Sequence, residues 1–225
     1  GSLKDTRIHF VSLAACARRE TELLGLLSPT ERDRAREINH PRAHLNYIAS
    51  RAMIREVLTD FVDQMVASNE WVFNVGPYGK PQVLIPGAPS PRFSISYTTD
   101  TLTIAVSQKF ELGVDIESMP GPADREVPWQ VLSSPERRAI NALPPAEQFM
   151  EFLRLWTLKE AYTKYFGMGA ALDFRHVEVD LDPLRATMAE APRNTRLADP
   201  VLHQQLLQID GNILVFALAS GRPRA

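Results

Sequence analysis

Gly113-Val114-Asp115-Ile116-Glu117 decides how the middle of this chain folds, because apolar and acidic residues alternate along it with a period of two. In a β-strand, that period places Val114 and Ile116 on one face and Asp115 and Glu117 on the other. The stretch therefore predicts a half-buried strand whose other face carries two carboxylates about 7 Å apart.

A second chemistry-bearing stretch, Trp156–Lys164 (WTLKEAYTK), lies further along the chain and is predicted to be helical. Taken alone, its Glu160 and Lys164 fit an ordinary helical ion pair at i, i+4, and a lone acidic strand face fits solvated surface. Taken together, three carboxylates are unfavourable neighbours unless a cation neutralises them. The two stretches with their lysines therefore suit a hard divalent cation that holds a phosphorylated ligand.

The composition narrows the class of protein. The 225 residues are enough for one large domain or two small lobes, and 44% hydrophobic with 23% charged residues is ordinary for a soluble globular chain. A net charge of −2 gives no general attraction to nucleic acid or to an anionic membrane. Cys16 is the single cysteine, and no apolar run is long enough for a membrane span. We therefore expect a cytoplasmic protein with no nucleic-acid and no membrane partner.

The chain repeats part of itself. Leu27–Arg32 (LSPTER) resembles Leu132–Arg137 (LSSPER) at an offset of 132 − 27 = 105 residues, and each copy reads as the capped start of a helix. A short strand is predicted before each copy and a longer helix after it. The repeated order predicts an α+β fold of two similar pseudo-repeat lobes packed around a central cleft, divided at 1–108 and 109–225. Because one chain supplies both halves of the cleft, a monomer is expected. The predicted strands are Ile8–Leu13 and Gly113–Glu117, and the predicted helices are Ala43–Phe61 and Pro145–Phe166.

Alternating segments between the helices predict further strands. Those of the first lobe are interpreted as an antiparallel meander that runs on into Gly113–Glu117, and Asp210-Gly211 predicts a hairpin in the second lobe. Two proline-containing segments, Pro120–Pro128 and Pro183–Pro200, are predicted to be loops. The predicted strands are Trp71–Val75, Gln82–Ile85, Phe93–Tyr97, Leu102–Ser107, His176–Leu181, Leu206–Ile209 and Asn212–Ala217.

At this point the motifs show a resemblance to a known family. Gly113–Glu117 and Trp156–Lys164, followed by Gly167 and Gly169, resemble the two signature motifs of the Sfp-type 4′-phosphopantetheinyl transferases. Gly79-Lys80-Pro81 and Phe93–Ser96 resemble that family's upstream motifs, so the likeness covers most of the chain. The resemblance implies Mg²⁺-dependent transfer of the phosphopantetheine arm of coenzyme A to a serine of an apo acyl or peptidyl carrier protein, with release of adenosine 3′,5′-bisphosphate.

The resemblance also implies roles for the residues of the second lobe. Asp115, Glu117 and Glu160 would surround Mg²⁺, or Mn²⁺ in its place, and Glu160 would alternatively or additionally act as the base for the carrier serine. Lys164 would meet the diphosphate of coenzyme A, with Lys159 as a further candidate. Asp115, Glu160 and Lys164 are thus the expected catalytic residues.

The first lobe would hold the nucleotide end of coenzyme A through Arg51, Lys80 and Ser96. Tyr97 departs from the family, which commonly has histidine there, and a tyrosine brings a hydrogen bond but no positive charge at neutral pH. We therefore expect Arg51 and Lys80 to carry more of the phosphate recognition. The carrier is expected near the segment 118–138, with its arginines as candidate contacts that fit solvated surface equally well.

Two other functions stay open from the sequence. One is a different Mg²⁺-dependent phosphotransferase, although the chain has no glycine-rich loop of the kind that cradles nucleoside triphosphates. The other is a non-catalytic module that binds coenzyme A or a carrier protein. The type of carrier (fatty-acid, polyketide or peptide) is not specified by any motif.

Overall fold

The computed structural model of the chain describes residues 5–76, 79–168, 172–188 and 197–221. Helices and strands are mixed along these residues, which confirms the predicted α+β class. Gly169, which follows the helical motif, lies outside the described residues. Among the described residues, no helix is both long enough and apolar enough to cross a membrane.

Six α-helices and ten strands make up the regular structure of the described residues. The helices are α1 Leu13–Arg18, α2 Glu20–Leu26, α3 Pro29–Arg36, α4 Pro41–Phe61, α5 Ser134–Asn141 and α6 Pro145–Phe166. The strands are β1 Thr6–Ser12, β2 Phe73–Val75, β3 Pro81–Val83, β4 Arg92–Tyr97, β5 Thr101–Ser107, β6 Leu112–Ser118, β7 Val177–Leu181, β8 Leu184–Met188, β9 Val201–Ile209 and β10 Asn212–Ser220.

The strands form two three-stranded antiparallel sheets of the same design. The first has the order β1-β5-β4 and the second the order β6-β10-β9, so in each the last strand of its half lies in the centre. Two small hairpins, β2–β3 and β7–β8, precede β4 and β9 respectively. Each half of the chain therefore runs strand, helices, short hairpin and long hairpin. The sequence repeat predicts the first strand and the helices of this order.

The repeated helix starts are real capping boxes. In α3, the Ser28 side chain accepts from the Glu31 amide while the Glu31 carboxylate accepts from the Ser28 amide, and Ser133 and Glu136 do the same in α5. Both glutamate side chains also form an ion pair within their own half of the chain. Glu31 pairs with Arg55 of α4 at 2.7 Å, and Glu136 pairs with Lys159 of α6 at 2.6 Å.

The buried apolar residues fall into three clusters. One joins α1, α2 and α4 to the first sheet and uses only residues from 13 to 106, and a second joins α6 to the second sheet and to β7–β8. The third lies between the two sheets, where Ala105 meets Leu112, Val114, Phe216 and Leu218. The division of the chain at residue 108 agrees with these clusters but stays a prediction.

Two expectations about the strands were wrong. The strands of the first half do not form one meander, because β6 leaves β4 and β5 to pair with β10, and β2 pairs only with β3. The segment 183–200 is not a continuous loop, because Leu184–Met188 forms β8. The first error concerns strand pairing across about a hundred residues, which alternation along a single strand cannot specify. The second concerns a local hairpin, because β8 pairs with the adjacent β7.

Gly113 lets α6 lie directly on β6. A methyl group at Gly113 would stand 1.9 Å from the Ala161 carbonyl oxygen and 2.3 Å from the Tyr165 amide nitrogen. Both atoms belong to the helix backbone, which cannot rotate out of the way. The glycine of the first motif is therefore required by the contact between strand and helix.

Gly113→Ala is expected to destabilise the protein by about 3 kcal/mol or more, because the methyl group forces β6 and α6 apart. Urea unfolding followed by circular dichroism measures this loss. Gly25→Ala in α2 is the matched control, since nothing lies within 4 Å of its added carbon and alanine favours a helix. Equal stability of the Gly113 variant and the wild type would contradict the close contact.

Candidate active site

The acidic face of β6 is turned toward α6. Asp115 and Glu117 pair in register with Ala217 and Val215 of β10, and Ala217 belongs to the cluster that packs against α6. Val114 and Ile116 point the other way and are completely buried or nearly so. The two faces predicted for the first motif are therefore observed.

A hydrogen-bonded network links Asp115 to both halves of the chain. The Asp115 carboxylate is only 3% exposed, and its Oδ1 accepts from Lys164 Nζ at 2.6 Å and from Ser96 Oγ at 2.7 Å. Lys164 Nζ also lies 3.2 Å from Ser96 Oγ. One step back along β4, Ser94 Oγ accepts from the Val114 amide at 3.0 Å. The serines of β4 thus bond to β6, and three residues that were expected in separate roles, Asp115, Lys164 and Ser96, meet in one network.

Glu117 stands beside Asp115 and is held by a residue whose polar role the sequence did not suggest. Trp156 Nε1 donates to Glu117 Oε1 at 3.0 Å. Burial, together with the neighbouring charge of Asp115, raises the pKa of Glu117 to about 7. Because it shares a face of β6 with Asp115, Glu117 is a carboxyl group that a cation at this position would ionise.

Glu160 of α6 completes the acidic group. Burial raises the pKa of Glu160, the charge of Asp115 raises it further, and Lys164 opposes both effects. The same repulsion acts between Glu160 and Glu117. The three acids from the two motifs are therefore close enough to oppose each other's ionisation, as the sequence predicts for an acidic cluster.

A divalent cation fits the donors of this cluster, although the acids are not pre-arranged around one. Asp115 Oδ2 is buried and has no hydrogen-bond partner, which leaves one hard oxygen free for a ligand. In the described part of the chain, no three acidic, histidine or cysteine side chains stand at metal-binding geometry. The metal roles of Asp115, Glu117 and Glu160 therefore stay predictions.

A cavity of about 190 Å³ opens beside Lys164 and is lined by both halves of the chain. The first half contributes the loop around Lys80 and the strand β4, and the second half contributes the end of α6. The observed cavity corresponds to the cleft expected between the lobes. Its lining residues are Gly79, Lys80, Pro81, Phe93, Ser94, Ile95, Lys164 and Gly167.

Lys80 contributes its aliphatic stem to this cavity while its ammonium group is already engaged. Lys80 Nζ donates to the Glu111 carboxylate, to the Leu112 carbonyl at 2.6 Å and to the Tyr165 carbonyl at 3.5 Å. Burial lowers the pKa of Lys80, and the charge of Glu111 opposes that shift. Glu111 is a partner that the sequence motifs did not reveal.

Lys159 is not brought together with the other site residues. Its side chain is 0% exposed and forms an ion pair with Glu136 at 2.6 Å, and its ammonium also donates to the Phe174 carbonyl at 2.9 Å. Burial lowers the pKa of Lys159, whereas its hydrogen bond to Glu136 raises it. The neighbouring Glu160 and Lys164 instead face β6, so adjacent residues of one motif serve different sides of α6.

Arg51 and Tyr97 also lie apart from the acidic cluster. The Arg51 guanidinium stands over the Tyr47 ring, 5.6 Å from its centroid. Tyr97 ends β4 on the face opposite Ser96 and is 51% exposed. Their predicted contacts with the nucleotide end of coenzyme A stay predictions.

The raised pKa of Glu117 predicts a pH-dependent stability of the metal-free protein. The Glu117 carboxyl binds its proton more tightly in the folded protein, where its pKa is about 7, than in the unfolded chain, where its pKa is 4.5. Its contribution is therefore fully present below the unfolded pKa and is lost as the pH rises through about 7. Glu117→Gln removes the titration, so its stability relative to the wild type should rise between about pH 5 and pH 8.

Urea unfolding in a chelator-containing buffer at a series of pH values measures this difference. Glu147→Gln, an exposed acid in the first turn of the same α6 that carries Trp156, is the control and should follow the wild type at every pH. Parallel curves for Glu117→Gln and wild type would refute the raised pKa.

Comparison with protein families finds a match over the second half of the site. The family model described as ACPS, 4′-phosphopantetheinyl transferase superfamily, matches residues 111–213. This range contains β6 and α6, and with them Asp115, Glu117, Glu160 and Lys164.

Individual relatives extend the match into the first half. A putative 4′-phosphopantetheinyl transferase of Synechocystis sp. is 28% identical over 64% of this chain and 58% of its own length. The 4′-phosphopantetheinyl transferase Sfp of Bacillus subtilis is 26% identical over 70% of this chain and 68% of its own. The chain thus spans little more than half of the Synechocystis relative.

One solved structure also aligns, weakly. It is titled a Chronobacterium ammoniagenes ACPS-CoA complex, and it superposes with a TM-score of 0.35 and 18% identity over 51% of this chain and 98% of that one. A score this low carries no conclusion about the fold or the ligand. The family model and the named relatives, by contrast, confirm the resemblance seen in the motifs. The chain is therefore similar to the 4′-phosphopantetheinyl transferase superfamily, whose family model covers residues 111–213.

Proposed function

We propose that this protein transfers the 4′-phosphopantetheine arm of coenzyme A to a serine of an apo acyl or peptidyl carrier protein, releasing adenosine 3′,5′-bisphosphate. The observation that supports this proposal best is the network in which Asp115 bonds to Lys164 and Ser96. It lies next to Glu117 and Glu160, beside a cavity that both halves of the chain line. The relatives named as 4′-phosphopantetheinyl transferases support the reaction class.

Mg²⁺ is the proposed metal, with Asp115, Glu117 and Glu160 as its protein ligands. All three are hard oxygen donors, and the free Oδ2 of Asp115 supports this assignment. When bound, the ion supplies charge neutralisation for the three acids and for the diphosphate of coenzyme A. Such neutralisation offsets the repulsion among the acids, whereas burial, the larger cause of the raised pKa values of Glu117 and Glu160, remains.

Lys164 is the proposed protein cation for the diphosphate. Its ammonium group hydrogen-bonds to Asp115 and to Ser96, and Lys164 lines the cavity. Transfer from the diphosphate of coenzyme A needs charge stabilisation and in-line positioning more than covalent assistance from the protein. A lysine positioned by a buried aspartate satisfies that need without a glycine-rich loop.

Glu160 is the proposed base. A carboxylate with a raised pKa accepts a proton more readily near neutral pH than an ordinary one does. The carrier serine gives its hydroxyl proton to Glu160 and its oxygen forms a bond to the β-phosphorus of coenzyme A. The bond from that phosphorus to the oxygen of adenosine 3′,5′-bisphosphate breaks, so the leaving group departs with the electron pair.

A basic surface on α5 is the proposed contact for the carrier. Trp129, Arg137, Arg138 and Asn141 line an open depression of about 250 Å³, and carriers of this class are acidic. Arg137 is oriented by donating from Nε to the Leu132 carbonyl at 3.1 Å. Arg125, the other arginine of this segment, donates to the Pro120 carbonyl at 3.1 Å and is a weaker candidate.

Incubation of the protein with an apo carrier, coenzyme A and Mg²⁺ tests the proposal. The expected result is an intact-mass gain of one phosphopantetheine group on the carrier and an equal amount of adenosine 3′,5′-bisphosphate. ATP consumption without coenzyme A would instead indicate another phosphotransferase. Complex formation with an unmodified carrier would indicate a binding module. A carrier whose serine is replaced by alanine is the control and should gain no mass.

A further inference from the structure

Lys80 was expected to bind phosphate, and its hydrogen bonds point to a different role. Its three ammonium donors have three protein acceptors, on Glu111, Leu112 and Tyr165. An ammonium has three donors and no more. Lys80 in this state has no donor left for a ligand, and its Cβ and Cδ lie beside Gly167 in the wall of the cavity.

Two of the three acceptors belong to the elements that carry the proposed catalytic charges, and the third, Glu111, directly precedes β6. Leu112 is the first residue of β6, two residues before Val114 and three before Asp115. Tyr165 is in the last turn of α6, directly after Lys164. Lys80 itself precedes β3 in the first half of the chain. Its ammonium therefore ties a loop of one half to the strand and the helix of the other, beside the network of Asp115 and Lys164.

Glu111 makes this arrangement electrostatically possible. Its carboxylate is mostly buried and pairs with Lys80, while Arg92 approaches its other oxygen at 3.8 Å. A buried ammonium without a counter-charge would be costly. Glu111 thus holds Lys80 in the protein and keeps its charge from the cavity.

We propose that Lys80 and Glu111 act as a clamp that positions β6 and α6 for the transfer reaction, and that Lys80 does not bind the phosphate of coenzyme A. The clamp deepens the proposed function on which it rests. The opposite assignment, Lys80 as a phosphate ligand restrained by Glu111, makes opposite predictions for the two variants.

The test compares Lys80→Met, Glu111→Gln and the double variant in steady-state transfer assays with varied coenzyme A. The clamp predicts that each single variant lowers kcat about tenfold while KM for coenzyme A changes less than about threefold, because an orientation is lost and not a ligand contact. The double variant should be no worse than the poorer single one. Lys109→Met is the control and should match the wild type, because Lys109 is exposed and its ion pair with Asp5 lies on the surface.

Two results would overturn the clamp. One is a tenfold or larger rise in the KM for coenzyme A in Lys80→Met, with kcat unchanged. A rise of about that size is expected when a charge contact with the ligand is lost. The other is a KM that falls in Glu111→Gln, as freeing a phosphate-binding lysine requires.

A measurement without substrate keeps the clamp testable even if the wild type transfers no phosphopantetheine. Hydrogen exchange in the ligand-free protein should speed up at the start of β6 and the end of α6 in both single variants, and urea unfolding should show a coupling between the two substitutions. Unchanged exchange at both places, or purely additive unfolding energies, would refute the clamp independently of the proposed function.

Discussion

Asp115→Asn is expected to lower phosphopantetheine transfer by at least about 10²-fold to 10³-fold while leaving the fold intact, because it removes charge stabilisation and not shape. The amide oxygen can still accept from Lys164 and Ser96, which now bond to the Asp115 carboxylate. What is lost is the negative charge that orients Lys164 and, by proposal, binds Mg²⁺. Asp115→Ala should be at least as inactive.

The measurement is the mass gain of the carrier over time, with circular dichroism to show that the variant is folded.

Glu160→Gln should lower the transfer activity by about 10²-fold to 10⁴-fold, because the proposed general base is lost. Glu147→Gln on the same α6 is its control, because Glu147 lies in the exposed first turn of the helix. Full transfer by a folded Asp115→Asn protein would remove Asp115 from the mechanism.

Lys159→Met is expected to destabilise the protein by about 3–5 kcal/mol, because it leaves the buried carboxylate of Glu136 without its counter-charge. Lys159 and Glu136 are both almost fully buried, at 0% and 4% exposure of their side chains. Glu136 keeps its bonds from the amides of Ser133 and Val179, but amides do not neutralise its charge.

Urea unfolding gives the loss of free energy directly. The double variant Lys159→Met with Glu136→Gln should be more stable than Lys159→Met alone, since no uncompensated charge then stays buried. Lys109→Met is the matched control. Its ion pair with Asp5 is on the surface, so its loss should cost less than about 1 kcal/mol. A cost for Lys159→Met as small as this control would favour the earlier expectation that Lys159 serves the diphosphate.

The parts of the fold that sequence could predict are those set by local patterns. Alternation along Gly113–Glu117 gave the right faces, and the Ser–Glu spacing gave both capped helix starts, because each depends on neighbours in the chain. Strand partners were not predictable in this way. β6 pairs with β10, about a hundred residues away, and the residue pattern of one strand does not identify its partner strand.

The candidate site divides in the same manner. Asp115, Glu160 and Lys164 come together as their motifs predict. Lys159 and Lys80 were expected to face a ligand because they are basic residues in those motifs. Their ammonium groups are occupied instead by Glu136 and Glu111, which lie 23 and 31 residues from them along the chain. Such partners are a property of packing, and a motif read on its own does not contain them.

The absence of a side chain at Gly113 has a consequence for how the catalytic groups keep their distances. Strand and helix touch through their backbones there, so neither can slide or roll on the other as they could across a layer of flexible side chains. The spacing of Asp115 and Lys164 is then set largely by the folded chain itself, and Lys80 with Glu111 adds a tie at one end of this contact. For the proposed transfer, such a site spends little ligand-binding energy on ordering its own charges.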